Sequence, residues 1–379
     1  MELIFGIFVG LIILVILVVV HELGHAVAAR RNGVVVEEFG IGLPPTGWGK
    51  KLKNGVLFTL NWLPLGGYVK LQGEHDAAKK KGDYGAATFW QKTKILFAGV
   101  ASNWLVAGLL LSVLAVTGLP KVLPNQFSIA NDTTTVRKPV EIVYLISGHA
   151  AEKAGFKEGD TIIRFAGKEV PTSESMIDLA KQNKGKTVEI IYDRDGVEYD
   201  KKVKLGNDVS SGVFGAGLGQ REFIKATWSA PVVGFGTTVQ FTIVTFQGLG
   251  DLLYNLASGL VSQLSPDAGV RADASSKLKT VSEGVAGPIG IIGTLFPSAE
   301  KAGPTQLTLL TAIVSLTLAV MNVLPIPSLD GGRWFTTFLF RLFRKKLTKE
   351  REEKIQMVGF SILMGLIILV TFVDVAKLL

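Results

Sequence analysis

The chain contains no cysteine and only 4 histidines in 379 residues, and Asp, Glu, Lys and Arg make up just 19% of it. Without cysteine no disulfide can brace an exported domain, and no thiolate is available as nucleophile or metal ligand. Any metal site must be assembled from His, Asp and Glu. The shortage of charge, beside 48% hydrophobic residues and a mean hydropathy of +0.38, excludes an ordinary soluble enzyme and fits an integral membrane protein with a modest soluble portion. Basic stripes interleaved with aromatics are also missing, so the net charge of +8 is not a nucleic-acid footprint and no nucleic-acid partner is expected.

Charge-free runs long enough to cross about 30 Å of hydrocarbon occur at Leu3–Val20, Ile95–Leu119 and Thr305–Leu329, with a shorter one at Phe360–Val373. The first lacks the basic leading segment and the small-residue cleavage site of a removable signal peptide. Lys and Arg crowd the segment between the first and second runs and the segment after the third, which by the positive-inside rule makes both cytoplasmic. The N-terminus, the long stretch from about Lys121 to Gly303 and the C-terminus are then outside. A further uncharged stretch, Ala226–Gly250, would reverse the sense of the third run if it crossed the membrane, so it is expected to lie at the outer interface or to pack on the bundle. Four spans are the consistent count.

At the end of the first run stands His21-Glu22-Leu23-Gly24-His25. Residues i and i+4 share a helix face, so both imidazoles can reach one zinc ion while Glu22 faces the remaining coordination position. That is the layout of a hydrolytic metal site, in which a carboxylate takes a proton from bound water and returns it to a leaving amine. The bland alternative is a polar helix end at the lipid interface. Ionisable groups at membrane depth nevertheless point to function.

A second pattern closes the third run: Asn322-Val323-Leu324-Pro325-Ile326-Pro327-Ser328-Leu329-Asp330-Gly331-Gly332. Two prolines break the helix, which at membrane depth is tolerated only where the backbone is buried in protein or lines a wet cavity. Asp330 follows the break, on the same side of the membrane as His21 and His25. With them it makes a three-ligand set with one open position. Taken alone Asp330 would read as an N-cap; Glu74, His75 and Asp76 on the cytoplasmic loop are the rival ligands, and His149 belongs on the opposite side.

With both patterns in hand, the sequence resembles the site-2 protease family of intramembrane zinc metalloproteases, in particular the bacterial enzymes that cut membrane-bound anti-sigma factors. Supporting matches are Leu65-Gly66-Gly67-Tyr68-Val69-Lys70, Phe97-Ala98-Gly99 with Asn103, and Gly287-Pro288-Ile289-Gly290-Ile291. The chain departs from the family pattern at Val100-Ala101-Ser102, where a proline is expected soon after the glycine. The resemblance implies that His21, His25 and Asp330 bind Zn2+ and that Glu22 is the catalytic base. It further implies that Asn322, with the neighbouring Pro325 and Pro327, holds the substrate or the oxyanion. Gly66, Gly67 and Tyr68 are expected in a membrane-re-entrant β-hairpin that pairs with the extended substrate. Implied partners are a single-span membrane protein, either anti-sigma-factor-like or a signal-peptide remnant, the lipid bilayer and an upstream site-1-type protease that first cuts the same substrate outside, with the bacterial inner membrane as location.

Between about 139 and 205 hydrophobicity alternates in Val140–Ile146 and Thr187–Tyr192, and Asp195-Gly196 signals a hairpin. Ile146–Ile163 followed by Gly167–Val170 resembles the core of a bacterial PDZ domain, in a single copy. The expected fold is a mainly α membrane protein of four spans with a small β-hairpin and an inserted α+β PDZ-like domain outside. Its parts are 1–120, 121–225, an interfacial helix and connector at 226–304, and 305–379. Two other functions compete. A membrane-anchored PDZ adaptor would be expected to fill the fourth coordination position with protein, and a metal transporter would carry more charge within its spans.

Overall fold

The computed structural model describes residues 2–207, 212–284 and 286–378. It divides into two compact units, Met1–Ala115 with Ser229–Leu379, and Val116–Trp228.

The first unit opens with helix α1 (Glu2–Arg31). Its proline-free run of Leu, Ile and Val needs no tertiary partner for its backbone, because beyond the first turn every amide is satisfied within the helix. Leu17, His21, His25 and Ala29 recur every four residues and form one buried stripe, while Leu3, Ile4, Phe8, Ile12 and Ile16 stay exposed as a lipid-facing surface. Strands β1 (Val36–Lys51) and β2 (Leu57–Leu71) follow and pair with each other. Gly66 and Gly67 are not at the loop joining the strands; they lie within β2, where Gly66 has φ +76° and the chain curls. As a result Val36–Ile41 pairs with both Leu57–Leu60 and Gly67–Leu71, and the Gly67–Leu71 stretch is left as an edge. Helix α2 (Phe89–Thr117) runs unbroken through Val100-Ala101-Ser102, so the missing proline causes no irregularity.

The second unit contains β3 (Leu119–Pro120), β4 (Thr134–Arg137), β5 (Val140–Leu145), α3 (Ala150–Lys153), β6 (Thr161–Phe165), β7 (Lys168–Glu169), α4 (Ser173–Gln182), β8 (Thr187–Arg194), β9 (Val197–Lys204), β10 (Ala216–Gly219) and β11 (Glu222–Lys225). One sheet has the order β10-β5-β6-β8-β9 with β7 beside β6, and a second the order β3-β11-β4. Alternation buries Val140, Ile142, Val188, Ile190 and Tyr192 on one face, over Phe165, Met176 and Phe214. Asp195 and Gly196 both take positive φ between β8 and β9, as a tight hairpin with the native strand twist requires. Strand β10, Gly-rich and without alternation, adds to the sheet beside β5.

The first unit resumes with α5 (Ala230–Gln263) and α6 (Ala268–Gly284). Gly234 packs against Ser112 and Trp104 Nε1 donates to Thr242 Oγ1 at 3.1 Å, so α5 runs along α2. A Cβ on Gly259 would touch Leu278, and the Ala274 carbonyl lies near it, so α6 turns back along α5. Among the described residues five helices, α5 included, are long and apolar enough to cross a membrane.

Next come α7 (Pro288–Gly290), a π-helical turn (Ile291–Leu295) and α8 (Phe296–Lys301). Gly6 and Gly10 of α1 admit Pro297 and Phe296, and buried Asp374 accepts the Gly287 and Gly290 amides at 3.1 and 2.8 Å. Helix α9 (Pro304–Val323) ends where Pro325 and Pro327 withdraw their amides, and α10 (Asp330–Leu342) and α11 (Lys349–Leu378) complete the unit. The run expected to span to Leu329 is therefore helical only as far as Val323.

Candidate metal centre

His21 and His25 project from one face of α1 and Asp330 from the first residue of α10. The sharp return between α9 and α10 brings them together. A Cβ on Gly331 would overlap the Val323 and Leu324 carbonyls, and one on Gly332 the Ile326 carbonyl, so only glycine lets the Pro325–Pro327 segment fold onto the helix start. His21 Nε2 lies 3.0 Å from Asp330 Oδ2, His25 Nε2 lies 3.2 Å from the same oxygen, and the two ring nitrogens are 3.1 Å apart. Ligand atoms on a tetrahedral zinc with bonds of about 2.0–2.1 Å are roughly 3.3 Å from one another, so this triangle has the size of three such ligands. Among the described residues it is the only cluster of three or more His, Asp or Glu side chains with that convergence.

The donor chemistry fits a metal as well as the distances do. His25 Nδ1 donates to the Ile95 carbonyl at 2.8 Å, which fixes the tautomer whose Nε2 lone pair is free to bind a cation. His21 Nδ1 is buried with no protein partner. Both rings are nearly enclosed, at 7% and 8% exposure. Gly99 of α2 faces them, and a Cβ there would run into the His25 ring and lie 2.8 Å from His21 Cε1.

Glu22 lines a cavity of about 410 Å3 together with His25, Asp330, Tyr68, Val69 and Arg333. Val69 lines the same cavity and Gly67 sits against Glu22 and Val18, so the edge of β2 passes beside the cluster. Tyr68 Oη donates to Glu38 Oε1 at 2.6 Å. Asn322 donates Nδ2 to the Leu318 carbonyl of its own helix at 2.9 Å and is not among the residues lining the cavity, whereas Pro327 packs against Gly359 of α11.

The rival ligands are placed differently from what their loop position suggested. Glu74 and His75 do form part of the cavity wall. The loop is held at that depth by Arg333, which pairs with Glu74 at 2.7 Å, by Lys92, which pairs with Asp76, and by Glu352, which accepts the Asp76 amide at 2.7 Å. Arg333, Tyr84 and Glu352 were not singled out in the sequence. Only the adjacency of Arg333 to the Asp-Gly-Gly triplet marked it, while Tyr84 and Glu352 carry no local signal.

Comparison with known proteins gives matches along nearly the whole chain. The sequence model of peptidase family M50 matches residues 9–366. A Clostridium perfringens protein with a provisional zinc-metalloprotease name is 29% identical over 365 residues, covering 95% of each chain. The zinc metalloprotease RasP of Bacillus licheniformis and the regulator of sigma-W protease RasP of Bacillus subtilis are each 25% identical over 448 residues, covering 96% of both chains. Among solved structures, the PDZ domain of an SdrC-like protein from Listeria monocytogenes matches 24% of this chain with 22% identity and a TM-score of 0.20.

Proposed function

The chain belongs to peptidase family M50, and from that premise we propose that it is an intramembrane zinc metalloprotease that hydrolyses a peptide bond in or near the transmembrane segment of a single-span membrane protein. The observation that carries this reading is the convergence of His21, His25 and Asp330 beside Glu22 and an open strand edge, on helices apolar enough to lie in a bilayer. His21 Nε2, His25 Nε2 and one Asp330 carboxylate oxygen would hold the ion. When bound, zinc supplies Lewis acidity toward the scissile carbonyl and lowers the pKa of a bound water.

The chain's own groups do the rest. Glu22 takes the proton of the attacking water and hands it to the leaving amine nitrogen. The Ile95 carbonyl keeps the His25 imidazole in one orientation through the reaction. A substrate helix shields its peptide bonds with its own hydrogen bonds, so it must unwind before attack. The edge at Gly66, Gly67 and Tyr68 offers backbone groups to the released strand. Asn322, Pro325 and Pro327 would flank the substrate, with Asn322 keeping its Oδ1 and second N–H for it beside the bond to Leu318.

The name of the Bacillus subtilis relative ties that protein to sigma-W regulation. Carried to this chain, it points to an anti-sigma-factor-like substrate already trimmed outside the membrane by another protease. The PDZ-like unit, inserted on the outer side by the charge pattern, would act as a filter against untrimmed ectodomains. Both termini would lie outside a bacterial cell membrane.

Glu22→Gln, purified and reconstituted with a single-span substrate, is expected to retain zinc and abolish hydrolysis, and a chelator is expected to stop the wild type until zinc is restored. Cleavage by the variant at the wild-type rate would sink the mechanism. Wild-type protein without zinc or activity would favour the adaptor reading.

A further inference from the structure

Arg333 lies one turn along α10 from Asp330, and its guanidinium faces Glu74, Glu352 and Tyr84. Nη1 donates to Glu74 Oε1 at 2.7 Å and Nη2 to the Glu74 carbonyl at 2.5 Å, Nε lies 3.4 Å from Glu352 Oε1, and the group sits 4.6 Å over the Tyr84 ring. Glu74 is itself forked, since its second oxygen, Oε2, accepts the Leu71 amide at 3.1 Å. A continuous chain of charged hydrogen bonds therefore runs from the turn that carries Asp330, through Arg333 and Glu74, to the edge stretch Gly67–Leu71. Lys92, paired with Asp76 and 5.4 Å from the centroid of the Tyr84 ring, braces the same loop from α2.

A charge cluster that only holds the loop to the helices would have no reason to end on that edge. The Leu71 amide meets Glu74, and two residues back along the same strand Val69 lines the cavity beside Glu22. The edge is thus tied at the Leu71 amide, through Glu74 and Arg333, to the ligand helix, at a point beside Glu22. An extended peptide presents a new peptide bond about every 3.3 Å along such an edge, so a small slip of the strand relative to Asp330 brings a different bond over the cluster.

We propose that Arg333 and Glu74 are positioning residues, a bridge between the Asp330 helix and the β2 edge that sets which peptide bond of the bound segment is cut. The proposal rests on the protease reading above. Neither residue touches the reacting atoms. Their effect is on register and on the fixity of Asp330.

The test uses the full chain reconstituted with a single-span substrate, with product masses, kcat/KM, zinc retention against a competing chelator and thermal unfolding measured together. Wild type is expected to give one dominant cut. Glu74→Gln, nearly isosteric but unable to pair its charge with Arg333, is expected to lower kcat/KM by ~10–100-fold and to add products cut at neighbouring bonds. Arg333→Lys keeps the charge and loses the planar fork, and should fall between the two. Unchanged cut position with kcat/KM within about twofold of wild type in Glu74→Gln overturns the bridge. So does a loss of activity that follows thermal stability alone with the cut position unmoved, or a wild type that already cuts several adjacent bonds. Failure of the protease reading is separate, because it would show as cleavage by Glu22→Gln.

Discussion

Two histidines four residues apart need only a helix to share a face, so His21 and His25 were legible in the sequence before any fold was known. The group that orients His25 was not, because the Ile95 carbonyl is a backbone atom that every residue type would supply. Gly99 is the clearest residue-level test of the centre. Gly99→Ala puts a methyl against both rings, and metal retention measured by chelator competition is expected to fall by ~10–100-fold together with hydrolysis. Gly365 on α11 faces open space, so Gly365→Ala is expected to leave both properties unchanged and shift stability by no more than about 0.5 kcal/mol.

The elements divide by how local their cause is. Helices α1 and α2 follow from long apolar runs, and the break after α9 follows from Pro325 and Pro327. The curl of β2 was hidden, because Gly66-Gly67 reads equally well as a turn between strands, and only pairing with Val36–Ile41 places it within one. Strand β10 escaped notice for a similar reason, having no alternation to reveal it. Strand β11 carries a testable electrostatic device. Hydrogen bonds from Lys121 and Arg137 hold the Glu222 carboxyl below its ordinary range, against a smaller opposing effect of burial. A carboxylate whose folded pKa is depressed stabilises the fold above its unfolded value, and that contribution is lost as pH falls through the folded one. Protection of the β11 amides in hydrogen exchange is therefore expected to drop on acidification below the ordinary carboxylate range. In Glu222→Gln it should already be lower at neutral pH and show little of that acid step.

For the whole molecule, charge distribution assigns sides and the absence of cysteine makes them measurable. Single-cysteine variants carry no background thiols. Lys80→Cys and Lys346→Cys are expected to react with an impermeant maleimide from one side of sealed vesicles, and Ser173→Cys from the other. Labelling of all three from the same side would overturn the orientation. In the fold α6 turns back along α5, which the sequence did not suggest because α6 is polar and has no span-like signature.

The sequence by itself determined a membrane protein with a histidine pair on a helix face, a proline-broken helix before Asp330 and a small alternating β domain, because each depends on composition or on spacing within a few residues. Tertiary structure alone decided that Asp330 meets the histidines at 3.0 and 3.2 Å, that Glu74 and His75 wall the same cavity, and that Arg333 joins the ligand helix to the strand edge. Those contacts unite residues as much as 309 positions apart, and what fixes them is glycine-permitted close approach and buried charge pairing, neither of which leaves a periodic trace in the chain.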